Sequence, residues 1–434
     1  METEFWTRRL KDAFESWELC FITERAKKYE AAEGELLTVE LKEEEGIALR
    51  AVKDGRMSFS YTFEKGQEAY RALMENVAAV MPFLEGDPHS VFPPAYGRYP
   101  DLDLYDEKGL AFADEVKVSS LLEMESTIRG FDRRITKTRN CELHQSELHV
   151  GIINSLGLAA EARKSVYTLG AMAVAAEGGE EVSWYDWTWA SAYGELDGQK
   201  LGKGIAEKAV SFLSGEVLDT GLYDGLLTPA CACQLLEILS PSFLAENLSK
   251  NKTRLKEKVG KKVLSGLLTI VDSGARGIGA FPFDGEGVPS QDNVLVREGV
   301  FEGFLYDSYY GGLLEKASTG NAVRGGVKEP PRCGPRGFSI APGQGDGAHG
   351  LGSGIVVEEL MGTHTANVVT GDFSVGAVGH LHGGGGKTPF KGVILSGNLF
   401  DLLGRVRAVG RDLTFYGSYG APALLVEGLK ISGK

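Results

Sequence analysis

The sequence predicts an α+β protein in two parts: a mixed N-terminal α/β domain over residues 1–220, then a glycine-rich, mainly antiparallel β domain, a sheet or barrel, over 221–434. Three observations lead there. Helix-like and strand-like patterns are mixed through the first half. A proline- and glycine-bearing stretch at 84–106 divides that half into two possible subdomains. Most of the 58 glycines follow residue 200 and separate short apolar runs such as "GIVVEEL", "ANVVTGDFSVGAV" and "FKGVILSGNL", the pattern of strands joined by tight turns.

The elements follow in order. Phe5, Trp6, Leu10, Phe14 and Trp17 recur near helical spacing among charges, which predicts an amphipathic helix packed on the domain and not a signal peptide. Short strand-like runs follow over 20–63, with "KDGR" at Asp54 and Gly55 as a hairpin turn. A helix is expected over 66–82, then the connector, then a helix over about 115–135. "CELHQSELHVGIINS" and "VSWYDWTWASAYGEL" alternate as antiparallel strands do. Helices over about 199–214 and 229–248 precede the β-rich region.

Composition narrows the function. Hydrophobic residues at 43% and charged residues at 24% are those of an ordinary globular chain. The formal charge, 46 − 60 = −14, opposes a nucleic-acid groove spread over the surface. The five cysteines, Cys20, Cys141, Cys231, Cys233 and Cys333, imply no disulfide framework and fit a reducing, cytoplasmic setting. No apolar run is long enough to span a bilayer.

"HLHGGGGKTPF", residues 380–390, suggests three chemistries. A phosphate loop ending in Gly386, Lys387 and Thr388 would need glycine at 381, where Leu381 stands, and a helix after it, where Pro389 and a β-branched run follow. An esterase oxyanion segment would need Gly-x-Ser-x-Gly, which the chain lacks; "GFSIA" (337–341) and "GLGSG" (350–354) have other spacings. His380 and His382 share a strand face and are the candidates for a metal, but two imidazoles leave half a tetrahedral site unfilled, and His349 and His364 are the other histidines of this half. Exposed histidines beside a turn is the favoured reading.

His144 and His149 lie on opposite faces of a strand, unless a turn over 145–147 brings them together. Cys231 and Cys233, one residue apart on a helix, read as small core side chains. Asp284 and Glu286 in "FPFDGEGVPSQ" pass as a glycosidase pair only if they flank a bond; among glycines, a turn whose carboxylates bind their own backbone is the safer reading.

Four blocks in order, "FPFDGEGVPSQDNVLVREGVFEGFLYDSYYGGLLEKASTGNA", "GIVVEELMGTHTANVVTGDFSVGAVG", "SGNLFDLLGRVRAVGRDL" and "APALLVEGLKISG", resemble the TldD/PmbA family, once described as modulators of DNA gyrase. The resemblance covers about 265–434 and is weaker before it. It implies a two-component metalloprotease, in which a catalytic TldD subunit and a related TldE (PmbA) subunit surround a chamber for extended peptides. Catalytic subunits carry HExxxH on a helix and a cysteine in a C-terminal loop, with the metal polarising water and the Glu as base.

This chain departs from that pattern. The corresponding helix reads "ACACQLLEILSPSFLAENL", with Ala230 to Leu235 at the motif, and "GRDLTFYGSYGAPALLV" holds no cysteine. The resemblance therefore implies a PmbA/TldE-like subunit without catalytic or metal residues of its own, with zinc or iron in a TldD-like partner. Asp284, Glu286, Ser318, Thr319, Asn321, Asp372 and Ser374 are the expected chamber or partner surface. The expected partners are that catalytic subunit, or a second copy, and an extended peptide, with no nucleic acid and no membrane. The alternatives are a stand-alone metal-dependent hydrolase built on His380 and His382, and a homodimeric peptide-binding protein.

Overall fold

A computed structural model describes residues 2–345, 352–383 and 386–434. His349, Gly350 and Leu351 of "GLGSG", and the tip glycines Gly384 and Gly385 lie outside the described residues. The chain is α+β, with a mixed N-terminal part and a mainly antiparallel C-terminal part.

Six antiparallel strands form the N-terminal sheet: β1 (Ser16–Ala32), β2 (Glu35–Lys53), β3 (Arg56–Thr62), β4 (Ile135–Asn154), β5 (Ala159–Glu177) and β6 (Glu180–Ala190), in the order β3-β2-β1-β4-β5-β6. The short runs expected near the start are instead two long strands, of 17 and 19 residues. Their outer halves carry charges where apolar alternation was sought, and those charges pair across strands, as Arg25 with Glu43 and Lys42 with Glu24, both at 2.8 Å. Asp54 and Gly55 have φ of 52° and 70° and join β2 to β3, the two positive torsions of a primed hairpin turn. β4 runs unbroken through 145–147, so no turn brings His144 to His149. They bond separately to Glu142 and Glu161.

Helices α1 (Glu2–Ala13) and α2 (Gln67–Val80) cover one end of the sheet, burying Leu10, Leu73 and Val77 against Trp17, Leu19 and Leu49. Past the one-turn helix α3 (Glu107–Leu110), α4 (Asp114–Phe131) and α5 (Gly198–Ser211) pack on each other and on β4–β6. Gly202 permits that approach, because a Cβ there would lie 2.8 Å from the Met124 carbonyl. Residues 84–106 form no helix or strand and bind the halves together. The Tyr99 hydroxyl donates to the Gly287 carbonyl at 3.0 Å, and its ring lies 5.7 Å from Phe283.

The second half continues with β7 (Gly221–Leu227), α6 (Pro229–Leu239), α7 (Ala245–Ser249), β8 (Ile270–Ser273), β9 (Asp292–Arg297), β10 (Val300–Phe301), α8 (Ser308–Leu313), β11 (Ala322–Val323), β12 (Arg332–Cys333), β13 (Phe338–Ile340), β14 (Gly354–Met361), β15 (Asp372–Gly383), β16 (Gly386–Asn398), α9 (Leu399–Gly404), β17 (Val406–Val409), β18 (Thr414–Tyr416), β19 (Tyr419–Ala421) and β20 (Leu424–Ser432). Strands β16, β15, β14, β7 and β20 pair in turn, and β20 pairs again with β16, closing a five-stranded barrel. Closure removes the free edges an open sheet would leave. Only the β7–β14 pair of the barrel is parallel. A second sheet, β10-β9-β8-β13-β19-β18, packs beside it. Helix α6 lies between them, its leucines in one core shared by both. The helix expected to reach 248 stops at Leu239, where Pro241 enters a 3₁₀ turn that its ring and missing N–H favour. Among the described residues no helix is long and apolar enough to cross a membrane.

Candidate functional site

The helix that should carry the catalytic motif begins with a well-formed cap. Thr228 Oγ1 accepts from Cys231 N, and Pro229 fills the first helical position. Cys231, Leu235, Leu236 and Leu239 turn into the core, while Ala230, Cys233, Gln234 and Glu237 border a cleft of about 310 Å³. The facing wall is the Trp184–Trp187 segment of β6, the outermost strand of its sheet. Lys208 enters from α5, Tyr416 and Tyr419 from the second sheet, and Glu358 and Glu359 from β14. Adjacent strand residues normally face opposite ways; the pairing register of β14 with β15 shifts between Val357 and Glu359, and this bulge brings both carboxylates to the cleft.

Charge in the cleft is unevenly neutralised. Glu358 bonds to Lys208 Nζ at 3.0 Å and to His380 Nδ1 at 3.1 Å. Burial alone would raise its pKa, but these two partners hold it down to about 2. Lys208 Nζ also lies 4.9 Å over the Trp184 ring. Burial raises both Asp186 and Glu359 above the ordinary carboxylate range; Asp186 accepts from the neighbouring Trp187 N at 2.8 Å. The cleft thus holds acidic groups drawn from water between aromatic walls.

Cys231, Cys233 and His380 have partners within the protein. Burial pushes the Cys231 and Cys233 thiols up to about 12, and they lie 3.3 Å from the Val357 and Tyr419 carbonyl oxygens, the setting of small core side chains. His380 is tied to Glu358, with its ring 4.9 Å from Phe212. His382 follows on the same face, its pKa lowered chiefly by burial. Among the described residues no three His, Cys, Asp or Glu side chains gather in a way that could hold an ion. "HLHGGGGKTPF" is the junction of β15 and β16, with Gly383 opposite Gly386.

The residues expected to line a chamber are spread over three settings. Asp284 and Glu286 are each 3% exposed. Asp284 accepts from the backbone of Glu286, Val288 and Ala322, all at 2.9 Å, the turn role assigned from sequence. Glu286 bonds to Arg50 at 3.0 Å and to Ser308 N at 2.9 Å. Asn321 is fully buried and joins Asp272, Gly334, Asn293 and Thr319, while Ser318 and Thr319 bond to the Tyr306 carbonyl. Asp372 and Ser374 are exposed at the start of β15. Sequence reading missed the buried ion network Glu18–Arg50–Glu286, with Arg324 on Glu18 at 2.7 Å. It also missed Asp186, Lys208, Glu358 and Glu359 as one group, since they come from three elements and no local spacing joins them.

Comparison with known proteins accounts for this layout. Three domain models described as PmbA/TldA metallopeptidase domain 1, central domain and C-terminal domain match residues 17–80, 108–213 and 220–433. The chain belongs to the PmbA/TldD metallopeptidase family. Within the family it is 27% identical to metalloprotease PmbA of Escherichia coli O157:H7 over 342 residues, 77% of this chain and 73% of that protein. It is 26% identical over 393 residues, 88% of each chain, to an uncharacterized protein of Methanocaldococcus jannaschii. The fold matches that of TldE from Thermococcus kodakarensis with a TM-score of 0.92 at 22% identity over the whole of both chains. A Thermotoga maritima protein described as a modulator of a DNA gyrase matches at 0.88 and 24%, over 99% of this chain and all of that one.

Proposed function

We propose that this chain is the PmbA/TldE-type subunit of a two-subunit peptidase, forming one side of a chamber for extended peptides while a TldD-like partner carries zinc or iron. The observation that carries this reading is the face of α6: where catalytic relatives would present HExxxH, this helix turns Ala230, Cys233, Gln234 and Glu237 to the cleft. The wall opposite supports a role in holding peptide. β6 ends its sheet, so an extended chain can pair with its free backbone and present alternate side chains to α6, a mode largely indifferent to sequence. A docking surface for the partner is at hand in β2, whose outer half pairs only with β1 and exposes Leu37, Val39 and Leu41. Five free, buried cysteines fit a cytoplasmic setting.

Co-expression with an HExxxH-bearing relative from the same organism tests the reading. A stable complex that cleaves unfolded peptides, with neither chain active alone, is expected. Stoichiometric zinc or iron on this chain alone, lost in the His380→Ala/His382→Ala variant, would instead establish a self-sufficient hydrolase. A dimer of this chain that ignores the relative would point to a homodimeric binding protein.

A further inference from the structure

A second concavity, about 370 Å³, lies where the N-terminal sheet meets loops of the C-terminal half, at the small end of the range for ligand sites. Its floor is one face of the sheet. The register sets Ile22 beside Val150 and Leu148 between Glu24 and Lys164, so the apolar row is flanked by one amine and by Glu24, which is itself paired with Lys42 at 2.8 Å. Phe281, Phe283 and Arg336 close it from the loops.

Lys164 is 8% exposed and Arg336 6%. Among the described residues neither side chain forms an ion pair, although the Arg336 backbone N–H donates to the buried Asp272 Oδ1 at 2.9 Å and that carboxylate lies near the guanidinium. Lys164 Nζ donates to the carbonyls of Ile278 and Ala280, the latter at 3.2 Å, which leaves one of its three N–H groups. Arg336 donates through its terminal nitrogens to Ser290 Oγ and to the carbonyls of Gly320, Phe281 and Phe283, which leaves its Nε–H. Asp284 also borders the cleft, but its oxygens are held by three backbone amides, and burial raises both it and Asp272 above the ordinary carboxylate range; neither bonds to the Lys164 amine or the Arg336 guanidinium. Buried cations without a contacting anion are costly, and a carboxylate bonded to both would relieve that cost.

We propose that this cleft binds the C-terminal carboxylate of a short apolar peptide, with the carboxylate met by Lys164 and Arg336 and the last side chain set against Ile22, Val150 and the phenylalanines. That the anion is a peptide rests on the peptidase reading above; the cleft itself does not, because it lies apart from α6 and β6.

Calorimetric titration of the whole chain with acetyl-Ala-Leu, its C-terminal amide and octanoate tests the proposal. The free acid should bind, and the amide at least about tenfold more weakly, as the loss of a charge-assisted bond implies. Lys164→Met should cost a similar factor. Ile22→Trp, which fills the floor and keeps the amine, should abolish binding while the circular dichroism spectrum and melting midpoint persist. Equal binding of acid and amide, no binding of either, or tighter binding of octanoate overturns the proposal. The two readings fail separately. If the two-subunit complex cleaves long amidated peptides while acetyl-Ala-Leu does not bind, the cleft assignment falls and the subunit role stands; if the acid binds and no complex forms, the reverse holds.

Discussion

Arg50 shows how much one buried side chain carries here. It bonds to Glu18 in β1 and to Glu286 in a loop of the other half, and all three are at most 5% exposed. Removing it leaves Glu286 with the Ser308 amide and Glu18 with Arg324 alone. Arg50→Ala should therefore lower the free energy of unfolding by roughly 3–5 kcal/mol, the cost of stranding buried charge. Arg25→Ala, at an exposed pair with Glu43 that solvent screens, should cost far less; denaturant titration of both variants checks the contrast. Glu18 adds a pH dependence. Burial would raise its pKa, but Arg50 and Arg324 outweigh that and hold it below the ordinary value, so its contribution is present above that value and lost as pH falls through the folded one. Lys164 acts at the other end of the scale. Burial, and secondarily Arg336, lowers it to about 8 from an ordinary 10.5. Between those values the unfolded chain binds the extra proton, so this residue makes stability rise with pH from about 8 to 10.5. The wild-type increase over that window should exceed that of Lys164→Met, and a titration of isotopically methylated lysines should show one amine near 8.

At the scale of elements, the strongest local rule broken is the alternation of β14, and the breach has structural support. Where the bulge brings Glu358 and Glu359 together, the neighbouring strand supplies Gly379, whose added Cβ would collide with the Val356 carbonyl. Gly379→Ala should destabilise the barrel by roughly 1–3 kcal/mol, as overpacking does. It should also loosen the His380–Glu358 contact next in the chain, seen as a change in the His380 ring chemical shifts at fixed pH. Turns and helices with their own signals, such as Asp54–Gly55 and the amphipathic α1, were legible in the sequence because the chemistry that makes them is local. The length of β1 and β2 was hidden by charges that pair across strands, since that pairing exists only once the register is set. The α6 cleft was hidden for a related reason: its acids, its lysine and its tryptophans come from β6, α5 and β14. What the sequence did contain was the replacement at Ala230–Leu235, legible only beside the family's motif.

For the whole molecule, the question is whether two halves with separate sheets unfold as one. Multidomain chains often do not, but this boundary is more than a linker. Cys20, Ala48, Ile152, Leu158 and Ala160 of the first half share an apolar cluster with Phe281, Phe283 and Val327 of the second. The Glu18–Arg50–Glu286 contacts and the Lys164 bonds to Ile278 and Ala280 cross the same boundary. The molecule supplies independent reporters for each side. Trp6, Trp17, Trp184, Trp187 and Trp189 all lie in the first half, and Cys231, Cys233 and Cys333, buried and free, lie in the second. In the Cys20→Ala/Cys141→Ala background, tryptophan fluorescence should therefore follow the first half and thiol labelling the second. The two denaturation midpoints should coincide when Arg50 is present. Arg50→Ala should pull them apart, with the tryptophan transition first, because the closed barrel keeps its own ring of strand pairs whereas the sheet loses the tie from β2 to Glu286 and keeps only Glu18–Arg324 from β1 among these ion pairs. Midpoints that stay together in the variant would mean that the apolar cluster, with the Glu18–Arg324 pair and the Lys164 bonds, suffices to couple the halves; midpoints already separate in the parent would mean that none of these contacts does.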